Sequence, residues 1–305
     1  MPLRIVVVPA STKAGRETIR RLLESENKPH VRGIYRDTSK VPSDFTQNPN
    51  FEATEGDVGT GAGLDFTSAD AVFYIPPPTY DGTDQGEWAA RCANNVKNAI
   101  QNAPSVTRLL LFSALGAQHD HGTGIIRLNH ISDTILKDAA REVIMVRPSF
   151  FHDFFAHALE EARADPPVVH TWITPVDHKI PMVSLKDIAK VCANALLAES
   201  GKPSPYSFKL FGPRHYSALD LKEAVEQVTG RKVELKPVER DQLAGFAGLQ
   251  IPEPHVQEVV DMIIGVLPGG ISEAEGDFDD DENTVRGETE LVDSLRELAA
   301  KATGK

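Results

Sequence analysis

The apolar run Leu3 to Val8 (LRIVVV) constrains the fold more than any other stretch of the chain. It is β-branched and does not alternate with polar residues, so a strand made of it must be covered on both faces, as in a parallel sheet. A loop, PASTKAG, follows, and then a helical pattern with Ile19, Leu22 and Leu23 on one face. The same sequence of events recurs. His30 to Tyr35 reads as a second strand, Phe51 to Glu55 as a weaker third, and Ala69 to Ile75 as a fourth, stopped by Pro76 to Pro78. A long helix is predicted from Gly82 to Asn102, a strand over Val106 to Ser113, a helix from Ile125 to Asp138, and a strand over Glu142 to Val146. Such β-α-β alternation over the first ~150 residues leaves a doubly wound parallel sheet as the expected architecture.

The later half is more mixed. Ile180 to Val183 reads as a strand. Ser184 is a candidate N-cap, with Asp187 three residues on and Leu185, Ile188, Cys192, Ala195 and Leu196 at helical spacing behind it. Tyr206 to Phe211 reads as a strand, Ser217 as another N-cap, and Lys232 to Lys236 as a half-exposed strand. Residues 239–267 look helical but are broken at Pro252 and Pro254. The acidic stretch Glu273 to Glu282 reads as a solvated loop, and a last helix spans about Glu288 to Ala300. The expected organisation is a core over 1–150, with 179–200 packing back on it, and a smaller mixed α/β, substrate-side region over 151–305.

Composition narrows the function classes. The net charge of -12 and the absence of a Lys/Arg block disfavour a nucleic-acid partner. The two cysteines, Cys92 and Cys192, supply neither a disulfide framework nor a thiolate zinc site. The run Ile5 to Val8 is too short for a signal peptide or a membrane span. The expectation is a cytoplasmic chain without a membrane or metal requirement. No G-x-S-x-G, H-E-x-x-H or phosphate-loop lysine motif is present.

Longer segments resemble a family. VVVPASTKAGRETIRRLL is similar to the opening strand–loop–helix of NmrA-like proteins, the atypical short-chain dehydrogenases. IYRDTSK, EGDV, AVFYIPPP, LLLFSALGA and IMVRPSFF follow in family order, and IPMVSLKDIAKVCANAL and LFGPRHYSALDLKEAVEQVTGRKV resemble the later half. The nearest branch is that of the fungal ergot-alkaloid dehydrogenases, including festuclavine and agroclavine dehydrogenases. The resemblance implies a Rossmann-like core, NADP(H), and a reductase or nitrogen-regulator role. It places cofactor contacts at Thr12, Gly15, Arg36 and Pro76, with Arg36 as the 2′-phosphate partner.

In the family spacing G-x-x-G-x-x-G, the three positions fall on Pro9, Thr12 and Gly15. The first two glycines permit the tight turn and the approach of the pyrophosphate. Pro9 and Thr12 therefore lead to the expectation that NADP(H) binding is weakened or lost. The Tyr-x-x-x-Lys pair of short-chain dehydrogenases is also missing, and Asn129 stands at the usual lysine position.

Polar residues expected just beyond strand ends are the catalytic candidates: Ser113, the group His119, Asp120 and His121, His130, and the pair His152 and Asp153. Histidines near neutral pKa exchange protons, and a neighbouring carboxylate orients them. Pro76 to Pro78, Tyr80, Trp88, Phe150, Phe151, Phe154 and Phe155 are candidate walls of an apolar pocket for a small hydrophobic substrate. The reading placed first is non-redox acid–base tailoring of a secondary metabolite: isomerisation, cyclisation, dehydration or epoxide opening. An NADP(H)-dependent reductase of a C=N or C=C bond is the alternative, and a dinucleotide-sensing regulator the third.

Overall fold

The computed structural model describes residues 2–199 and 201–302. The chain divides into two compact units, one of Met1–Gln118, Arg127–Arg147 and Ile188–Phe208, the other of His119–Ile126, Pro148–Asp187 and Lys209–Lys305.

In the first unit, β1 (Arg4–Val8), β2 (His30–Tyr35), β3 (Phe51–Glu55), β4 (Ala71–Tyr74), β5 (Arg108–Phe112) and β6 (Glu142–Pro148) lie in the order β6-β5-β4-β1-β2-β3. All neighbours in this order pair in parallel. The expected doubly wound architecture is therefore observed. Ile5 to Val8, Val72 to Tyr74 and Leu109 to Leu111 are almost wholly buried, which explains why these strands read as unbroken apolar runs. Helices α1 (Lys13–Glu24), α2 (Gln85–Gln101) and α3 (Arg127–Leu136) connect them. Small residues on α2, among them Cys92, Ala93 and Ala99, pack with Val6, Val72, Leu109 and Met145 in one cluster.

The strand order reverses at β1, between β2 and β4. This topological switch point opens a crevice at the carboxyl edge, where open α/β sheets bind ligands. The β1–α1 loop, residues 75–79 and Ser113 all stand at that edge. Backbone bonds from Ala10 N to Ile34 O and from Ile75 N to Val8 O, each 2.9 Å, fix it.

The second unit has its own core. Three strands, β7 (Phe150–Phe151), β8 (Val168–Thr171) and β9 (Ile180–Val183), precede the helix α4 (Leu185–Leu197), most of which belongs to the first unit. Then come β10 (Tyr206–Phe211), β11 (His215–Tyr216), α5 (Ala218–Thr229), β12 (Glu234–Pro237), α6 (Val256–Val266), β13 (Thr284–Arg286) and α7 (Leu291–Ala302). Ser217 and Asp220 close a capping box at the start of α5, and Gly230 at φ +70° ends it. Ser184 accepts the Asp187 amide as an N-cap should, at 3.0 Å. The Asp187 carboxylate does not return to Ser184 but takes the amides of Glu288 and Thr289 at 3.1 and 2.9 Å.

The acidic stretch is less solvated than its composition predicts. Asp277 is buried on His119, and β13 follows directly, pairing in parallel with residues 209–211 of β10. Residues 119–126 belong to the second unit for a local reason. At Gly124, φ +55°, a Cβ would stand 2.5 Å from the Met262 amide nitrogen, so only glycine lets the segment lie against α6. Among the described residues no helix is long and apolar enough to cross a membrane, and no cluster of three or more His, Cys, Asp or Glu could hold a metal ion.

Candidate active site

Thr12 caps α1. Its Oγ1 accepts from the Gly15 amide at 3.0 Å and donates to the Pro9 carbonyl at 3.1 Å. The hydroxyl is thus engaged within the loop in both directions. Gly15 is required by space: a Cβ there would meet Thr12 Oγ1 at 2.8 Å and the Pro9 oxygen at 2.9 Å. Of the family's three glycine positions, the surviving one is the one that sets helix-to-loop packing.

Just past β2, Arg36 is exposed and has no ion pair among the described residues. Tyr35, immediately before it, is buried, and its hydroxyl has no hydrogen-bond partner. Burial pushes the Tyr35 phenol up to about 12, opposed by the positive charge of nearby Arg16. The uncommitted Arg36 at the carboxyl end of β2 fits the phosphate of a phosphorylated ribose, and Arg16 on α1 faces the Tyr35 hydroxyl. Guanidinium groups match phosphate oxygens there, and the α1 N-terminus favours a diphosphate. Pro76, also on the cofactor side of the sequence reading, is buried two residues beyond β4.

Ser113 is the residue after β5, held by its amide on Val146 O at 2.9 Å. Its hydroxyl donates to Asp133 Oδ2 at 2.7 Å, and Arg147 Nη2 approaches the same oxygen at 3.5 Å. Asp133 Oδ1 and Arg147 Nε are both buried without a hydrogen-bond partner. Ser113 is 1% exposed and Asp133 6%. Desolvation raises the Asp133 carboxyl to about 6, although Ser113 and Arg147 pull the other way. Asn129, on the same helix, donates to Phe112 O at 3.3 Å. His130 Nδ1 lies 3.0 Å from Ala117 O, which can only accept, so Nδ1 carries the hydrogen and Nε2 is the basic nitrogen of the neutral ring.

The remaining candidates lie in the second unit. His119 Nε2 meets Asp277 at 2.9 Å. His121 is exposed and paired with Asp120. His152 is fully buried, with Nδ1 on Ser294 Oγ at 2.7 Å, its ring edge-on to Tyr216, and Nε2 unpartnered. Burial lowers its pKa to about 4 despite the field of Asp187, so the ring is neutral. Asp153 sits beside it in a one-turn helix, half-buried.

The residues that the sequence groups on one rim thus fall into separate sets. Ser113 and His130 belong to the first unit, and the His119–His121 group and His152–Asp153 to the second. The aromatic candidates divide likewise. Trp88 donates to Pro77 O at 2.8 Å in the first unit, while Phe150 and Phe155 pack on Trp172 in the second. Sequence reasoning missed Asp133 and Arg147. The available signal was Asp133's place with Leu128, Ser132 and Leu136 on the buried stripe of α3, where a carboxylate needs partners.

A doubly wound sheet with a switch-point crevice, a capped first loop and an exposed arginine directly after β2 has the layout a dinucleotide site uses. Consistent with this, residues 10–199 match the model of the NAD(P)H-binding family, and the chain belongs to that family. No curated protein matches it in sequence. Solved structures share its fold at low identity. The triphenylmethane reductase of Citrobacter sp., complexed with NADP(H), is 17% identical at a TM-score of 0.77, covering 97% of this chain and 99% of that one. The NADPH-dependent quinone oxidoreductase of Escherichia coli, complexed with NADPH, is 16% identical at 0.75, covering 97% and 100%. The UDP-glucuronic acid 4-epimerase of Bacillus cereus, in complex with NAD, is 12% identical at 0.66, covering 99% and 100%. These neighbours are bacterial reductases and an epimerase, and none is an ergot-alkaloid dehydrogenase.

Proposed function

We propose that the protein is an NADP(H)-dependent reductase of a C=N or C=C bond in a small hydrophobic molecule. One observation carries the reading: Arg36 stands exposed and without an ion pair among the described residues directly after β2, beside the switch point where a 2′-phosphate would be read. NADP-linked neighbours and membership of an NAD(P)H-binding family support it over the non-redox acid–base reading that the damaged loop first favours.

The loop around Thr12 and the α1 N-terminus would hold the diphosphate, and Arg36 with Arg16 the 2′-phosphate. Pro76 and the residues after it would border the rest of the cofactor. When bound, the dinucleotide supplies a hydride. The chain's own tasks are to place an apolar substrate, exclude water and provide a proton. Thr12 tempers the affinity, because its hydroxyl already takes the Gly15 amide and must compete with phosphate at the helix start.

The test is NADPH consumption by purified protein against a panel of iminium, enone, quinone and triphenylmethane compounds, followed by loss of nicotinamide absorbance. Substrate-dependent consumption with NADPH preferred over NADH is expected. Turnover of a substrate with no change in NADPH would restore the non-redox reading.

A further inference from the structure

We propose that Ser113 and Asp133 form a proton-delivering pair, in which the Ser113 hydroxyl protonates the substrate and Asp133, acting through it, replaces that proton. The assignment rests on the reductase reading and names its proton source.

The geometry is that of a short relay. Ser113 stands immediately beyond the carboxyl end of β5, at the edge where this class of sheet receives ligands. Its hydroxyl is 2.7 Å from Asp133 Oδ2. Asp133 is more than nine-tenths buried, yet Oδ1 has no partner, and Arg147 Nε beside it is likewise unpartnered. A carboxylate serving only as a structural clamp should be saturated by donors, because an unmet buried acceptor is costly. An incompletely met carboxyl next to a guanidinium is instead suited to alternate between acid and anion. The charged or titratable groups facing it are Arg147 from β6 and His130 from its own helix, while the residue after β5 contributes the Ser113 hydroxyl.

The step balances. For a neutral imine or enone, the substrate's π bond breaks as one of its atoms receives a hydride from the reduced dinucleotide, and the π pair moves to the other atom. That atom takes the Ser113 proton. In concert, Ser113 Oγ takes the carboxylic proton of Asp133. The resulting carboxylate faces Arg147 and is reprotonated from water. Asp133 thus occupies the place in the relay left open by the missing tyrosine–lysine pair, as a positioning residue rather than one that touches substrate. Turnover should fall as pH rises through the Asp133 midpoint near 6.

The experiment compares wild type, Asp133→Asn, Asp133→Glu and Ser113→Ala. Asp133→Asn should keep its NADPH affinity and substrate KM. It should lose about 100-fold in kcat, the usual scale of acid–base assistance, together with the pH dependence. Asp133→Glu should recover part of the loss. Independently of activity, carboxyl carbon NMR of the unliganded protein should show one aspartate titrating well above the others. That signal should be absent in Asp133→Asn and shifted further up in Ser113→Ala, where the carboxylate loses its donor. If Asp133→Asn retains wild-type kcat and pH profile, or if no aspartate titrates high, the pair is overturned while NADPH turnover by the wild type stands. A wild type that consumes no NADPH contradicts the reductase reading and removes the relay with it, whatever the titration shows.

Discussion

Burial pushes Asp133 and His152 towards their uncharged forms, and the two shifts make opposite demands on pH. The Asp133 carboxyl rises from 3.8 to about 6, so in that window the folded chain holds a proton that the unfolded chain has released. Stability should fall as pH rises through it, by up to about 3 kcal/mol at ~1.4 kcal/mol per pKa unit. Asp133→Asn removes this cost, so thermal denaturation should find the variant more stable than wild type at neutral pH and nearly equal to it only below the unfolded value of 3.8. His152 drops from 6.5 to about 4. In that range the unfolded chain binds the extra proton, so stability should decline as pH falls, again by about 3 kcal/mol. His152→Gln can still meet Ser294 and should flatten that decline in urea titrations. A histidine next to an aspartate reads in sequence as an acid–base pair. That the ring lies inside a core, edge-on to Tyr216, comes from α7 returning over 140 residues later, which no local pattern encodes.

At the scale of elements, Arg108 links strand to helix. It is buried at the start of β5, pairs with Glu142 on β6 at 2.7 Å, and donates to the carbonyls of Ala195, Leu196 and Ala198 at the carboxyl end of α4. These carbonyls lack intrahelical donors, so one guanidinium caps a helix and neutralises a carboxylate together. Arg108→Met should destabilise by about 3–5 kcal/mol, because it leaves Glu142 buried and unpaired. A lowered urea midpoint in an otherwise native protein would show it, and an unchanged midpoint would contradict the role. Strands and helices of the first unit were legible because burial on both faces leaves its mark as unbroken apolar runs. Val168–Thr171 and Thr284–Arg286 were not, since each is short and is a strand only by virtue of its partner, Glu234–Pro237 and residues 209–211 of β10 respectively. Of the candidate site, Ser113 was legible as a strand-end hydroxyl. Its partner Asp133 was not singled out, because a polar residue within a helix reads as solvated unless its neighbours on the buried stripe are counted.

For the whole molecule, family and fold make a dinucleotide the natural ligand, while the first loop carries two departures from the glycine pattern that such a ligand usually requires. Both hold if Thr12 limits affinity without abolishing it. Thr12→Gly should then tighten NADPH binding several-fold, since it frees the Gly15 amide at a capping cost of only a few tenths of a kcal/mol. Arg36→Ala should weaken NADPH by about ten-fold and leave NADH nearly unchanged, the mark of a lost 2′-phosphate contact. Bound NADPH should raise the melting temperature in proportion to the logarithm of its concentration. The most direct measurement is a calorimetric titration of the purified protein with NADPH. Saturable binding at one site per chain, tighter than for NADH and tightened by Thr12→Gly, is the expected result. No saturable heat with either wild type or Thr12→Gly would contradict dinucleotide binding by this chain.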